Sequence, residues 1–291
     1  MLHIVTVHWN DDRWIAPQLR ALARFAPGAR VWAALNGIDL ARHPGFHFAA
    51  DLEGSHPEKL NELARRVVAE ADESDLLLFL DGDALPIAPV VATILGGFRL
   101  AAVRRDENLG QRQPHPCFCL TTVGLWAEID GDWRRGATWI AANGEAVTDT
   151  GGNLMANLAA RGIEWRPLLR TNRFDLDPLW FGVYGDVCYH HGAGFRPPLS
   201  MLAGLDAKRA VRDAAARSRI PARVPILGRL ERAIRYRRER HRQAEQVAEY
   251  VDDSQALSDE VFGWIRDDPD FYRRFTEPGD GPTANRQVGN S

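Results

Sequence analysis

Cysteine is scarce in this chain. Its 291 residues hold three, Cys117, Cys119 and Cys188. Three thiols in a chain this long do not make a disulfide framework. Cys117 and Cys119 stand one residue apart, the wrong spacing for a structural zinc pair, and read as small buried hydrophobes. Lysine is rarer still, with only Lys59 and Lys208, so arginine carries the positive charge. No apolar run approaches the roughly 20 residues that span a bilayer. The first nine residues lack a basic leader and a cleavage pattern and read as a first strand, so a cytoplasmic protein is expected. No internal repeat is visible, and 45% hydrophobic against 26% charged residues is a globular balance rather than a disordered one.

Charge is unevenly spread. The chain carries a net −3, yet Lys208 to Arg242 holds thirteen Lys/Arg against three acids, a local +10 that leaves −13 for the remainder. An acidic body therefore carries a basic arm.

The most informative stretch is Leu76-Leu77-Leu78-Phe79-Leu80-Asp81-Gly82-Asp83. A run this apolar reads as a strand covered on both faces. Open α/β sheets bind ligands at the carboxyl ends of such strands. Two carboxylates separated by one small residue there form a hard-oxygen site suited to Mg²⁺ or Mn²⁺, and such an ion commonly takes a diphosphate to complete its shell.

The rest of the first half alternates strands and helices. Strands are expected at 2–8, 30–35, 46–50 and 76–80, with helices at 13–26 and 57–73, the second opened by Pro57. That alternation means an α/β sheet, largely parallel, with helices on both faces. Further on, a short helix is expected at 90–98, strands at 100–103 and 118–122, a helix at 153–161, and a last strand and loop within 180–191. Past Leu205 the chain turns helical, over 207–219, 226–251 and in short pieces between 258 and 275. The expected division is a catalytic domain over 1–205, a basic helical extension over 206–276 and a disordered tail over 277–291.

Three further clusters bear chemistry. In Tyr189-His190-His191-Gly192-Ala193-Gly194-Phe195-Arg196, a late histidine can complete a carboxylate-rich metal site. The glycines there admit a phosphate, and Arg196 can neutralise charge on a leaving diphosphate. Asp149 precedes a Gly-Gly turn that opens a helix, and reads either as a helix cap or as the acceptor of a substrate proton. Thr6, His8, Asn10, Asp11, Asp51, Ser55 and His56 trail along strand ends, where they can hold a nucleobase and ribose or simply shape turns. Lys59 and Asn61 stand on the helix leading to the acidic strand.

On these residues the chain resembles the GT-A-fold glycosyltransferases, in particular bacterial members of the family 2 and family 8 kinds, over residues 1–200. Asp81 and Asp83 match the family's DxD pair. Gly54, Lys59 and Asn61 loosely match its glycine, basic residue and asparagine. His191-Gly192-Ala193-Gly194-Phe195-Arg196-Pro197 is similar to the metal-ligand His-x-x-Gly motif of retaining members. The usual Glu-Asp acceptor-side pair is replaced by Thr148-Asp149. The resemblance implies a Rossmann-like nucleotide-binding sheet and a metal-dependent transfer from a nucleotide diphosphate sugar to a saccharide or lipid-linked acceptor. It gives the metal to Asp81, Asp83 and His191, donor binding to Thr6, His8, Asn10, Asp51, Lys59, Asn61 and Asp81, and catalysis to Asp149 and Arg196. No Gln-x-x-Arg-Trp motif is visible, which points to single-sugar transfer.

Two rivals share parts of the pattern. A haloacid dehalogenase-like phosphohydrolase also carries Asp-x-Asp after a hydrophobic strand, but places it near the start of the chain rather than about 75 residues in. A non-catalytic nucleotide-sugar-binding module would keep the sheet without turnover. The arginine-rich arm reads either as an attachment to anionic lipid at the inner membrane face or as a solvated helix laid on the acidic body. Its narrow apolar face favours the second. Tyr236 is the single aromatic among the arginines, too few for a stacking platform, which speaks against nucleic acid.

Overall fold

The computed structural model describes residues 1–141, 144–199, 201–216 and 225–277. Apart from Glu277, the expected disordered tail lies outside them. The chain forms two compact units, one of Met1–Phe195 with the stretch from Gly263 onward, the other of Arg196–Phe262.

The strands in chain order are β1 (Leu2–Trp9), β2 (Arg30–Asn36), β3 (Phe48–Ala50), β4 (Leu76–Phe79), β5 (Ala84–Pro86), β6 (Ala101–Val103), β7 (His115–Thr122), β8 (Trp139–Ile140), β9 (Ala146–Val147), β10 (Arg166–Leu168), β11 (Gly182–Tyr184) and β12 (Cys188–His190). The helices are α1 (Ile15–Phe25), α2 (His56–Glu70), α3 (Val123–Glu128), α4 (Gly152–Ala160), α5 (Met201–Ala216), α6 (Pro225–Asp267) and α7 (Arg273–Thr276).

Seven strands make the main sheet, in the order β3-β2-β1-β4-β7-β6-β10. Every strand is parallel to its neighbours except β7, which runs antiparallel to β4 and β6. This is the expected α/β architecture, and the reversed β7 is the part that periodicity could not give. The apolar run splits by alternation. Leu77 and Phe79 join α2, α3 and α4 on one face, where Phe79 packs 4.4 Å from Trp126 and 5.0 Å from Trp133. Leu78 and Leu80 join Leu22 of α1, Ile4 and Phe118 on the other. Burial on both faces is what forces the run to be apolar throughout.

Several elements depart from the sequence expectation. Residues 90–98 give only a 3₁₀ turn at Ala92–Leu95, stopped by Gly96 in the left-handed region (φ 58°). Pro86 does not break the chain. It ends β5, an edge strand of a second sheet ordered β11-β12-β5, where its missing N–H costs no ladder bond. The expected break between 251 and 258 is absent: α6 runs unbroken for 43 residues, with Pro225 at its first position. In the second unit, α6 is laced by ion pairs one turn apart, Arg235 to Glu231 and Arg242 to Glu239.

Candidate metal and nucleotide site

The main sheet hands the chain to the second sheet at a sharp corner. Leu80 N–H makes a bond to Val5 O at 2.9 Å, and Ala84 N–H closes the turn on Asp81 O at 2.9 Å. Gly82 sits inside that turn. A Cβ there would stand 2.6 Å from Val7 O and 2.7 Å from Phe195 Cζ, so no side chain fits. From the corner β5 runs beside β12, with Ala84 opposite His190. Asp81 and Asp83 thus lie at the carboxyl end of β4, beside β1. Strands β2 and β3 lie on the other side of β1, so the order reverses here, which is where open α/β sheets bind ligands.

Asp81, Asp83 and His190 bring three candidate ligand atoms within 4.8 Å of one another. Asp83 is buried, takes Gly194 N–H on Oδ2 at 2.8 Å, and faces His190 Nε2 with Oδ1 at 3.5 Å. Burial alone would raise its pKa, but the His190 imidazole and the Gly194 amide hold the carboxyl well below the usual range. Asp81 Oδ1 lies 3.1 Å from His56 Nε2, out of line for a hydrogen bond, and is buried with no hydrogen-bond partner among the described residues. Burial pulls His56 toward the neutral form, but the charge and close contact of Asp81 together with the Asp83 charge outweigh it, so the His56 pKa is raised. Two carboxylates, a nearby imidazole and an orphaned buried oxygen fit a divalent cation. The His115 ring stands 5.5 Å from that of His190, and its Nδ1 takes Cys117 N–H at 3.2 Å.

The histidine beside the carboxylates is therefore His190, one residue before the His191 that the motif suggested. The His191 ring packs 4.7 Å from Trp14 and 4.9 Å from Phe181, with Tyr189 Oη 3.0 Å from its Nδ1. Burial drops its pKa to about 3.

The other expected donor residues divide into two groups. Thr6 and His8 are buried within the sheet end, both bonded to Gln18 Oε1 at 3.1 Å. Burial lowers the His8 pKa to about 4. Asn61 is spent on structure, its Nδ2 donating to Asp132 at 2.6 Å and its Oδ1 accepting from Trp133 N–H at 2.9 Å. Asn10 follows β1, Asp51 follows β3 and Lys59 stands on α2. Asn10 is exposed with φ 56°, Asp51 accepts from Asn36 Nδ2, and Lys59 is buried, its pKa lowered by that burial against the opposing charge of Asp51.

Asp149 is half-buried, with Gln111 Nε2 on Oδ2 at 3.1 Å and Thr150 N–H on Oδ1 at 2.8 Å. It is not a helix cap, since Gly151 in the left-handed region (φ 93°) caps α4. Arg196 opens the second unit, where Nη1 donates to Leu199 O at 3.3 Å.

Two groups of residues escaped the sequence reading. Gln18 Nε2 donates to Asp81 O at 2.8 Å and Ala84 O at 3.0 Å, so this one amide fastens the metal corner to β1. Nothing in an amphipathic helix pattern marks such a residue. Gln111 and Gln113 are buried, and Gln111 Oε1 and both Gln113 amide atoms have no partner among the described residues.

No family model matches the chain, and no curated protein matches it in sequence. Similar solved structures include S. aureus TarS, at 12% identity over 46% of this chain and 30% of that one, with a TM-score of 0.34. The glycosyltransferase GlyE of Streptococcus pneumoniae TIGR4 is 18% identical over 43% and 35%, with a TM-score of 0.31. The galactosyltransferase LgtC, in complex with donor and acceptor sugar analogs, is 13% identical over 77% and 99%, with a TM-score of 0.38. The chain spans about a third of the length of TarS and GlyE. At TM-scores below 0.5 these likenesses carry no part of the functional reading.

Proposed function

We propose that the protein is a GT-A-type glycosyltransferase that moves a single sugar from a nucleotide diphosphate sugar to an acceptor hydroxyl. A divalent cation, Mn²⁺ or Mg²⁺, is held by Asp81, Asp83 and His190. One observation carries this reading: the Asp-Asp-His cluster sits at the carboxyl end of a doubly buried strand, where the strand order reverses. When bound, the cation supplies positive charge for the diphosphate as it becomes the leaving group.

The chain's own groups suit the remaining tasks. Asn10 follows β1, Asp51 follows β3 and Lys59 stands in the first turns of α2, and these three suit a nucleoside. The unpaired Gln111 Oε1 and the unpaired Gln113 amide suit sugar hydroxyls, which both donate and accept, because a buried polar group without partners costs about 1–3 kcal/mol until it is paired. Asp149, oriented by Gln111, serves as the base toward the acceptor hydroxyl or as the group that positions it.

The experiment is calorimetry of UDP and GDP with and without Mn²⁺, on the wild type and on Asp83→Asn. The wild type binds one nucleotide in a Mn²⁺-dependent manner and the variant loses that dependence, by at least about tenfold. Equal binding by both proteins removes the metal assignment. Radiolabelled sugar appearing on an acceptor then separates a transferase from a mere binding module.

For the acceptor, we place the enzyme at the cytoplasmic membrane face, with the arm toward anionic lipid. The support is its arginine-rich sequence together with the exposed Leu230, Ile234 and Tyr236. No helix among the described residues is long and apolar enough to cross a membrane. Co-sedimentation with phosphatidylglycerol vesicles, lost on adding salt and absent with phosphatidylcholine, is the expected result. Equal partitioning to both lipids rejects it.

A further inference from the structure

We propose that α6 pairs with α6 of a second copy of this chain, antiparallel, along the stripe formed by residues 230, 234, 237, 241, 244, 248, 251 and 255. The inference stands on the second unit alone and is independent of the sugar-transfer reading.

The first observation is burial. α6 is 43 residues long, yet none of residues 229–257 is buried. Most helical stability in proteins comes from packing an apolar face, and this stretch has packed none. Leu230 is 58% exposed and Ile234 44%. The stripe recurs by fours and threes, the spacing that keeps one seam of a helix turned toward a partner helix. From Leu230 to Gln255 it runs for about 39 Å.

The second observation is charge. Residues 229–242 hold seven arginines against Glu231 and Glu239, a net +5. Residues 243–260 hold six acids and no lysine or arginine, a net −6. One half of the helix is therefore basic and the other acidic. Arg237, Arg238 and Arg240 have no ion-pair partner among the described residues, and neither have Glu249, Asp252 and Asp253. An anionic membrane matches only the basic half. So does the acidic body of the chain. A second α6 laid antiparallel matches both halves at once.

The third observation is register. About a two-fold axis between Arg242 and Gln243, the stripe meets itself. Ile234 falls opposite Val251, Arg237 opposite Ala248 and His241 opposite Ala244. The long polar side chains of the seam thus meet alanines, which leave them room to reach its edge. There Arg237 and Arg238 come beside Glu245 and Asp252 of the second copy. A parallel pair would set Arg237 on Arg237 and the acidic half on the acidic half, which charge repulsion opposes. A two-fold pair is closed, so association stops at the dimer. Arg232, Tyr236 and Arg238 lie off the stripe, so lipid attachment remains compatible with the pairing.

The test uses the full-length protein, with mass measured by sedimentation and light scattering over a range of concentrations. The wild type is expected to be a dimer at low salt and to weaken by at least about tenfold at about 0.5 M salt. One variant reverses the acidic half, Glu245→Arg with Glu249→Arg and Asp252→Arg. The other reverses the basic half, Arg237→Glu with Arg238→Glu and Arg240→Glu. Each is checked for helix content by circular dichroism. Each alone is expected to self-associate about 100-fold more weakly, and an equimolar mixture of the two to regain the dimer. Direction is read with a short bismaleimide, since the three native cysteines are buried. Ile234→Cys with Val251→Cys is expected to cross-link the dimer. Ile234→Cys alone is not, because its two copies stand about 26 Å apart along the antiparallel pair.

A wild type that stays monomeric throughout overturns the proposal and leaves the arm to its own body. A monomer that gathers only on phosphatidylglycerol vesicles gives the stripe to lipid, and the proposal fails. It fails equally if the dimer survives both reversals, if the mixture of folded variants does not reassemble, or if Ile234→Cys alone cross-links.

Discussion

Asp132 lies apart from the candidate ligands yet fixes the helix that presents His56. Its carboxylate takes Asn61 Nδ2 from α2 at 2.6 Å, Asn153 Nδ2 from α4 at 2.7 Å, and the backbone and guanidinium of Arg134. Burial works against the charge, but these donors win and hold the carboxyl well below its usual range. A depressed folded pKa stabilises the fold above the unfolded value of about 3.9, and that stability is lost as pH falls toward the folded pKa. Asp132→Asn is therefore expected to lower the melting temperature near neutrality, by about 1–3 kcal/mol of stability, and to lose less than the wild type on acidification toward pH 3. Thermal melts over that range check both. At this scale the sequence marked Asp81 and Asp83 through their strand, but it named His191 where the structure sets His190 beside them. Neighbouring residues of an extended chain point to opposite sides. Only the pairing of β12 with β5 decides that His190 turns to the carboxylates and His191 to Trp14 and Phe181.

Between elements, the corner from β4 to β5 carries the site, and Gly82 is its pivot. The residue has no room for a methyl group, with Val7 O, Phe195 and His8 Nδ1 all within 3 Å of a built Cβ. Gly82→Ala must push β1 away from the turn. The expected outcome is loss of Mn²⁺ binding although both carboxylates are retained, together with about 1–3 kcal/mol of destabilisation, read by calorimetry and urea unfolding. Strands β1, β2 and β4 and helices α1 and α2 were legible, because each shows its own period over a full length. β5 was not, and the last strand expected within 180–191 is a hairpin of two, β11 and β12. β5 is three residues long and ends in proline, and its identity lies in pairing with β12 about 100 residues along the chain.

Across the whole chain, the stretch after α6 returns to the first unit and backs the ligand strand. Phe271 and Phe275 pack 4.8 Å and 5.6 Å from Tyr189, the residue before His190. Arg24 pairs with Asp270 at 2.8 Å, and Arg173 N–H donates to Phe275 O at 2.8 Å. Phe275 is fully buried, so Phe275→Ala is expected to cost about 3–5 kcal/mol and to weaken Mn²⁺ binding through the loosened β12. Unchanged metal affinity at a lowered melting temperature would confine the residue to stability. The sequence by itself determined the parallel α/β layering and the acidic pair. A strand buried on both faces must be apolar throughout, and charge is admitted only where the strand ends. The tertiary structure alone decided which histidine joins that pair, that α2 brings His56 to it, and that Gln18 ties the corner down. These are meetings between residues distant in sequence, set by strand register and helix placement rather than by local pattern.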